Sequence, residues 1–184
     1  MKEKNFTTSI KIPEGVNVSI EDHTLLAEGP KGKNSREFAY QGFSMKLSED
    51  KSVVVLTFDL ATKREKMLMN TISAHIENIF AGVLEKYTYT LKVCSSHFPM
   101  NVSYKSNELI VKNFLGEKAN RILSIPEGVE LKIDGTNIIL TGVDKEKVGT
   151  VASRIESLTR ITNRDRRIFQ DGIFITDKNG KSTL

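Results

Sequence analysis

A single cysteine, Cys94, occurs in 184 residues. No disulfide framework can therefore brace this chain, and a reducing, cytoplasmic setting is expected. No stretch approaches the ~18 consecutive apolar residues of a membrane helix. No apolar run follows the charged start Met1-Lys2-Glu3-Lys4 either, so neither secretion nor membrane spanning is expected. Histidine is almost as scarce. His23 sits in a predicted turn, His75 on the apolar face of a predicted helix and His97 beside Phe98-Pro99. His75 is expected to be a hydrogen-bonded core residue. Cys94 and His97 have a C-x2-H spacing, but no second ligand pair accompanies them, which argues against structural zinc. No serine occupies a G-x-S-x-G elbow or an S-x-x-K arrangement. Gly29 to Lys33 lacks the glycine spacing of a phosphate loop. The sequence thus predicts no enzyme, no metal, no cofactor and no small-molecule substrate.

Positive charge is present and unevenly placed. The net charge is +4. Residues 1–86 carry 12 Lys and Arg against 12 Asp and Glu, whereas residues 87–184 carry 15 against 11. Of eight arginines, five (Arg154, Arg160, Arg164, Arg166 and Arg167) fall within 14 residues. The guanidinium fork suits phosphate recognition better than the point charge of lysine. Only Asp165 interrupts this run between residues 160 and 167, so an anionic partner is expected.

One phrase recurs. Ile12-Pro13-Glu14-Gly15-Val16 returns as Ile125-Pro126-Glu127-Gly128-Val129. At the same offset of 113 residues, Ile20 falls over Ile133, Leu25-Leu26 over Ile138-Ile139 and Gly29 over Gly142. Two copies are too few for a solenoid, so each should be a small α+β domain with its own core. The expected boundaries are 1–86 for an electrically neutral, supporting domain and 87–176 for a basic domain. Residues 177–184 are expected to form a polar, extended or disordered tail.

Local patterns fill these domains. Val16, Val18 and Ile20 alternate with polar residues as in a half-buried strand. Phe38 to Tyr40, Ser44 to Leu47 and Val53 to Phe58 predict further strands, with Ser48 to Lys51 as a hairpin connection. Thr62-Lys63-Arg64-Glu65 is a capping box opening a helix. Its apolar face takes in Leu68, Ile72, Ile76, Ile79 and Val83, and Gly82 is its expected C-terminal cap. In the second half Asp144 caps a helix with Val148, Val151, Ala152, Ile155 and Leu158 on its buried stripe. Gly172 to Ile175 predicts a last short strand.

The candidate nucleic-acid contacts follow that second helix. Arg160, Arg164, Arg166 and Arg167 can neutralise phosphates. Asn163 and Gln170 can hydrogen-bond base edges or 2′-hydroxyls, and Phe169 can either stack on a base or pack inward. A second candidate surface joins His97-Phe98-Pro99-Met100 to Lys112, Asn113 and the following Phe114 to Lys118. A free-standing basic module that binds acidic proteins is the alternative function.

Several of these segments resemble a known family. Ser96-His97-Phe98-Pro99-Met100, Asn113-Phe114-Leu115-Gly116-Glu117-Lys118, Leu158-Thr159-Arg160-Ile161 and Phe169-Gln170-Asp171-Gly172-Ile173 look like the signature of large-subunit ribosomal protein six, in its archaeal and eukaryotic branch. His75-Ile76-Glu77-Asn78 resembles the family's first helix and Asp144 to Gly149 the start of its second. Thr150, Asn70 and Asn120 depart from residues common in the family. The resemblance implies a tandem duplication with antiparallel strands packed around one helix in each half. It also implies a structural role in the large ribosomal subunit, with ribosomal RNA bound mainly by the second domain. The implied location is near the sarcin–ricin loop and the stalk base, beside neighbouring large-subunit proteins. By motif it implies RNA contact for Arg160, Arg164, Arg166, Arg167, Gln170, Lys112, Asn113 and Lys118.

Overall fold

A computed structural model describes residues 6–59, 62–96 and 98–183. His97, one of the candidate contacts, lies outside the described residues. The chain divides into two compact units, residues 1–86 and 87–184, and both are α+β. No described helix is long and apolar enough to cross a membrane.

The first unit runs β1 (Phe6–Lys11), β2 (Asn17–Glu21), β3 (Thr24–Gly29), β4 (Gly32–Glu37), β5 (Phe43–Leu47), β6 (Val53–Phe58) and α1 (Lys63–Leu84). The strands form two antiparallel sheets, ordered β1-β6-β5 and β2-β3-β4. Alternation decides which side chains enter the core: in β6, Val54, Leu56 and Phe58 are buried and the residues between them only partly so. Helix α1 packs on β1, β3, β4 and β6, burying Met69, Ile72, Ile76, Ile79, Phe80 and Val83. Thr62 and Glu65 form the expected capping box. His75 is half-buried, with Nδ1 3.2 Å from Nη1 of Arg36.

Two local expectations fail here. Helix α1 does not stop at Gly82, which is buried inside it; it ends at Leu84. The Lys31 N–H donates to the Val83 carbonyl at 3.0 Å, so a neighbouring turn helps satisfy the helix end without a glycine cap. Residues 38–40 are not a strand. Phe38 instead leaves β4 and is buried, held by a bond from its N–H to the His23 carbonyl at 2.8 Å.

The second unit runs β7 (Tyr87–Cys94), β8 (Asn101–Lys105), β9 (Glu108–Lys112), β10 (Arg121–Ser124), β11 (Val129–Asp134), β12 (Asn137–Gly142), α2 (Lys145–Leu158), β13 (Gly172–Lys178) and β14 (Lys181–Ser182). Its sheets are ordered β10-β9-β8 and β11-β12-β7-β13-β14, with every neighbouring pair antiparallel. The Asp144 carboxylate accepts the N–H groups of Glu146 and Lys147 and starts α2. Val148, Val151, Ala152 and Ile155 face a core shared with Leu91, Leu109, Phe114, Ile138 and Leu140. Residues 177–183 are not the separate tail expected. Asn179 and Gly180 both have positive φ, 53° and 79°, as a two-residue hairpin turn requires. That turn folds β14 back onto β13. The Asn-Gly pair was the overlooked signal.

The duplication is visible in the topology. Sheet β5-β6-β1 corresponds to β11-β12-β7, sheet β2-β3-β4 to β8-β9-β10, and α1 to α2. The recurring Ile-Pro-Glu-Gly-Val does not occupy matching places in this scheme. In the first unit it links β1 to β2; in the second it links β10 to β11. What the two copies share is local: a positive-φ glycine, Gly15 or Gly128, and then a hairpin closed by two residues. Each hairpin ends on a glycine pressed against a helix. A Cβ on Gly29 would lie 2.7 Å from the Val83 carbonyl oxygen, and one on Gly142 2.7 Å from Val148 Cγ2 and 2.9 Å from the Gly128 carbonyl oxygen. Gly142→Ala should cost about 1–3 kcal/mol, because the surrounding backbone must shift. Urea unfolding measures this, and an unchanged midpoint would show that the packing yields freely.

Candidate nucleic-acid interface

The arginine-rich segment is a loop between α2 and β13, tied at both ends. At its start, buried Thr159 accepts the Ile173 N–H on Oγ1 at 2.9 Å. At its end, the buried carboxylate of Asp171 accepts from the backbone N–H and hydroxyl of Ser96, the latter at 2.7 Å. Between these ties a single turn forms around Asp165. Its carbonyl accepts the N–H groups of Ile168 at 3.1 Å and Phe169 at 2.9 Å, and its carboxylate accepts the Arg167 N–H at 2.9 Å. Buried ends and an internal turn hold the exposed arginines without using most of them.

Their roles differ. Arg167 is committed to Asp165, with Nη2 to Oδ2 at 2.8 Å. That bond holds the Asp165 carboxyl below its ordinary range and raises the Arg167 guanidinium. Arg164 lies over the Phe169 ring, 4.9 Å from its centroid. The ring is half-buried, so it supports an arginine and also lines the surface. Arg160, Arg166, Phe169 and Gln170 come together with Cys94, Ile161 and Phe174 around a groove of about 760 Å³. Such a groove offers cationic forks for phosphates and an aromatic wall for a base. Gln170 also donates from Nε2 to the Arg167 carbonyl at 3.3 Å.

The second candidate surface is built on left-handed backbone, with φ of 59° at Asn113 and 49° at Leu115. Phe114 points into the core, while Lys112 and Lys118 are exposed. Asn113 donates from Nδ2 to the Pro99 carbonyl at 3.0 Å, so its amide already serves the fold. The Phe98 ring covers Gly116, where a Cβ would meet it at 3.5 Å.

Two features escaped the sequence reading: the pairing of Ser96 with Asp171, although both lie in the signature segments, and any role for Arg121. The Arg121 guanidinium stacks over the Phe114 ring, 4.2 Å from its centroid. It makes a fork to Glu117, with Nε to Oε2 at 2.9 Å and Nη2 to Oε1 at 2.6 Å. It also donates from Nη1 to the Leu158 carbonyl at 2.6 Å. Those bonds hold the Glu117 carboxyl below its ordinary range, and the Arg164 charge adds to the effect. No local spacing announces contacts across 37 positions of chain. Among the described residues, no three His, Cys, Asp or Glu side chains gather where a metal could sit.

Comparison with known proteins matches this architecture. The sequence model of the family described as ribosomal protein L6 matches residues 12–86 and again 98–172. The two matches are shifted by 86 positions at both ends, close to the register seen in the topology and not to that of the recurring phrase. The chain is 46% identical over 183 residues to the large ribosomal subunit protein uL6 of Nanoarchaeum equitans, covering 95% of this chain and 94% of that protein. It is 44% identical over 172 residues to uL6 of Desulfurococcus amylolyticus, covering 92% of each. Against uL6 of Aeropyrum pernix the identity is 40% over 178 residues, with 96% and 97% covered.

Proposed function

The chain belongs to the ribosomal protein L6 family, and on that premise we propose that its second unit docks it on large-subunit ribosomal RNA through the loop at 160–170. The family is one of structural ribosomal constituents, and RNA binding is typical of it. The observation that supports the loop is its construction: Arg160, Arg164 and Arg166 stand exposed on a segment whose ends are buried and bonded. A cationic surface fixed before binding loses little further freedom when it meets phosphates. Arg167, Gln170 and Phe169 complete this surface, and Lys112, Asn113 and Lys118 belong to a second contact, to which the sequence alone adds His97. The mechanism is phosphate neutralisation and shape recognition, with no reaction performed. The first unit, electrically balanced, has a supporting role. The resemblance in the sequence points to a position near the sarcin–ricin loop and the stalk base, among neighbouring large-subunit proteins.

Co-sedimentation with large ribosomal subunits across a salt series tests this. Binding should weaken steeply as salt rises, by ~0.7–0.9 log units per log unit of salt for each phosphate contacted, and should disappear after nuclease digestion. A chain that ignores ribosomal RNA at low salt while retaining an acidic protein partner would instead be a protein-interaction module.

A further inference from the structure

We infer that Arg121 is a positioning residue that clamps the 113–118 turn to the end of α2, so that both candidate contact surfaces are presented as one rigid unit. This rests on the RNA-binding reading for its purpose, but its geometry stands independently. Arg121 begins β10, an edge strand whose described neighbour is β9. From there its side chain reaches three places. Its face lies on Phe114, its fork holds both carboxylate oxygens of Glu117, and its remaining terminal nitrogen donates to the carbonyl of Leu158, the last residue of α2. Arg160 follows two residues later. The side chain is only 25% exposed, so most of its donor capacity is spent inside the protein.

The chemistry requires arginine. A planar group can stack and make a fork at once, whereas lysine offers a point charge that cannot do both. The carbonyl at the end of a helix also favours a cationic donor. Arg121 therefore answers two needs with one side chain, and the loop carrying Arg160, Arg164 and Arg166 starts from a fixed point.

Two measurements on the full chain separate this role from its rivals. The first is amide hydrogen exchange of the free protein. In Arg121→Gln, exchange at residues 114–118 and 160–171 should rise about tenfold or more, while β7 and β12 stay protected. Arg121→Lys keeps the charge and should loosen both segments nearly as much. Glu117→Gln, the milder variant, should loosen 114–118 most. Unchanged exchange at 160–171 in both Arg121 variants would overturn the clamp.

The second is binding to in vitro transcribed large-subunit ribosomal RNA across a salt series. Arg121→Gln should weaken binding about tenfold with the salt slope unchanged. A slope smaller by about one unit would make Arg121 a phosphate contact itself and also overturn the proposal. If the unaltered chain fails to bind this RNA, the functional reading fails, and the exchange data still decide the clamp.

Discussion

Replacing Arg160, Arg164 and Arg166 together by alanine is expected to weaken binding to large-subunit ribosomal RNA by on the order of a hundredfold near 0.1 M salt, and to reduce the salt slope by about two to three units. The physical basis is counterion release: each phosphate neutralised frees a condensed cation, and three lost contacts subtract three such contributions. Geometry makes the effect selective. These three guanidiniums project from a segment whose ends are held by Thr159 and Asp171. None of their donors is needed to keep that segment in place, so the fold should survive and thermal unfolding should barely move. Arg167 provides the internal control. Its Nε and Nη2 are bonded to the Asp165 carboxylate, and the negative charge beside it offsets its own. Arg167→Ala should therefore lower the slope by clearly less than any of the other three. An equal slope for the triple variant and the unaltered chain would place the RNA contact elsewhere on the molecule.

Phe114→Ala is the substitution expected to damage the second unit most. The ring is 1% exposed and packs in a core with Leu109, Val111, Ile125 and Leu140. Truncating a fully buried phenylalanine leaves a cavity and costs about 3–5 kcal/mol, against a total stability of roughly 5–15 kcal/mol for a domain. The loss does not end there, because the same ring is the platform on which Arg121 lies. Without it the guanidinium loses its stacking surface, and its fork to Glu117 is less well held. Urea unfolding followed by fluorescence-independent means, such as circular dichroism, measures the first effect. Hydrogen exchange at 160–171 measures the second. A loss below about 1 kcal/mol would mean that the core closes over the gap and that Phe114 is no keystone. Phe114→Leu should recover much of the stability while leaving the loop loosened, since an aliphatic side chain offers no π-face.

Much of the fold was legible in the sequence wherever a local rule operates. The capping box at Thr62 and Glu65, the Asp144 cap and the period-2 strands each depend on residues a few positions apart. The stripe on α2 came out nearly as its spacing implies, and that on α1 with Met69 in place of Leu68 as its first buried residue. Arginine density marked the candidate interface because it too is a property of neighbouring residues. The errors share the opposite character. Gly82 looked like a helix cap until the backbone of Lys31 supplied a donor to the helix end. The last residues looked like a tail because they are polar, yet backbone pairing with β13 needs no apolar side chains. Nothing local distinguishes Arg167, bound to its own Asp165, from its immediate neighbour Arg166, or shows that Asn113 spends its amide on Pro99.

The recurring Ile-Pro-Glu-Gly-Val shows the boundary most clearly. By itself the sequence determined that the chain is duplicated α+β, that its charge lies in the second half, and that each phrase opens a hairpin ending in a glycine. Those outcomes follow from short-range sterics, periodicity and composition, which act wherever the segment is placed. Only the tertiary structure decided which strands correspond. Sheet order and helix placement set a register near that of the 86-residue family match, not the 113 of the phrase. A hairpin is a local solution that either sheet can accept, whereas its address depends on which distant strand pairs with its edge. The same holds for the candidate interface. Composition supplied the arginines, and long-range bonds from Ser96 to Asp171 and from Arg121 to Leu158 made them a surface.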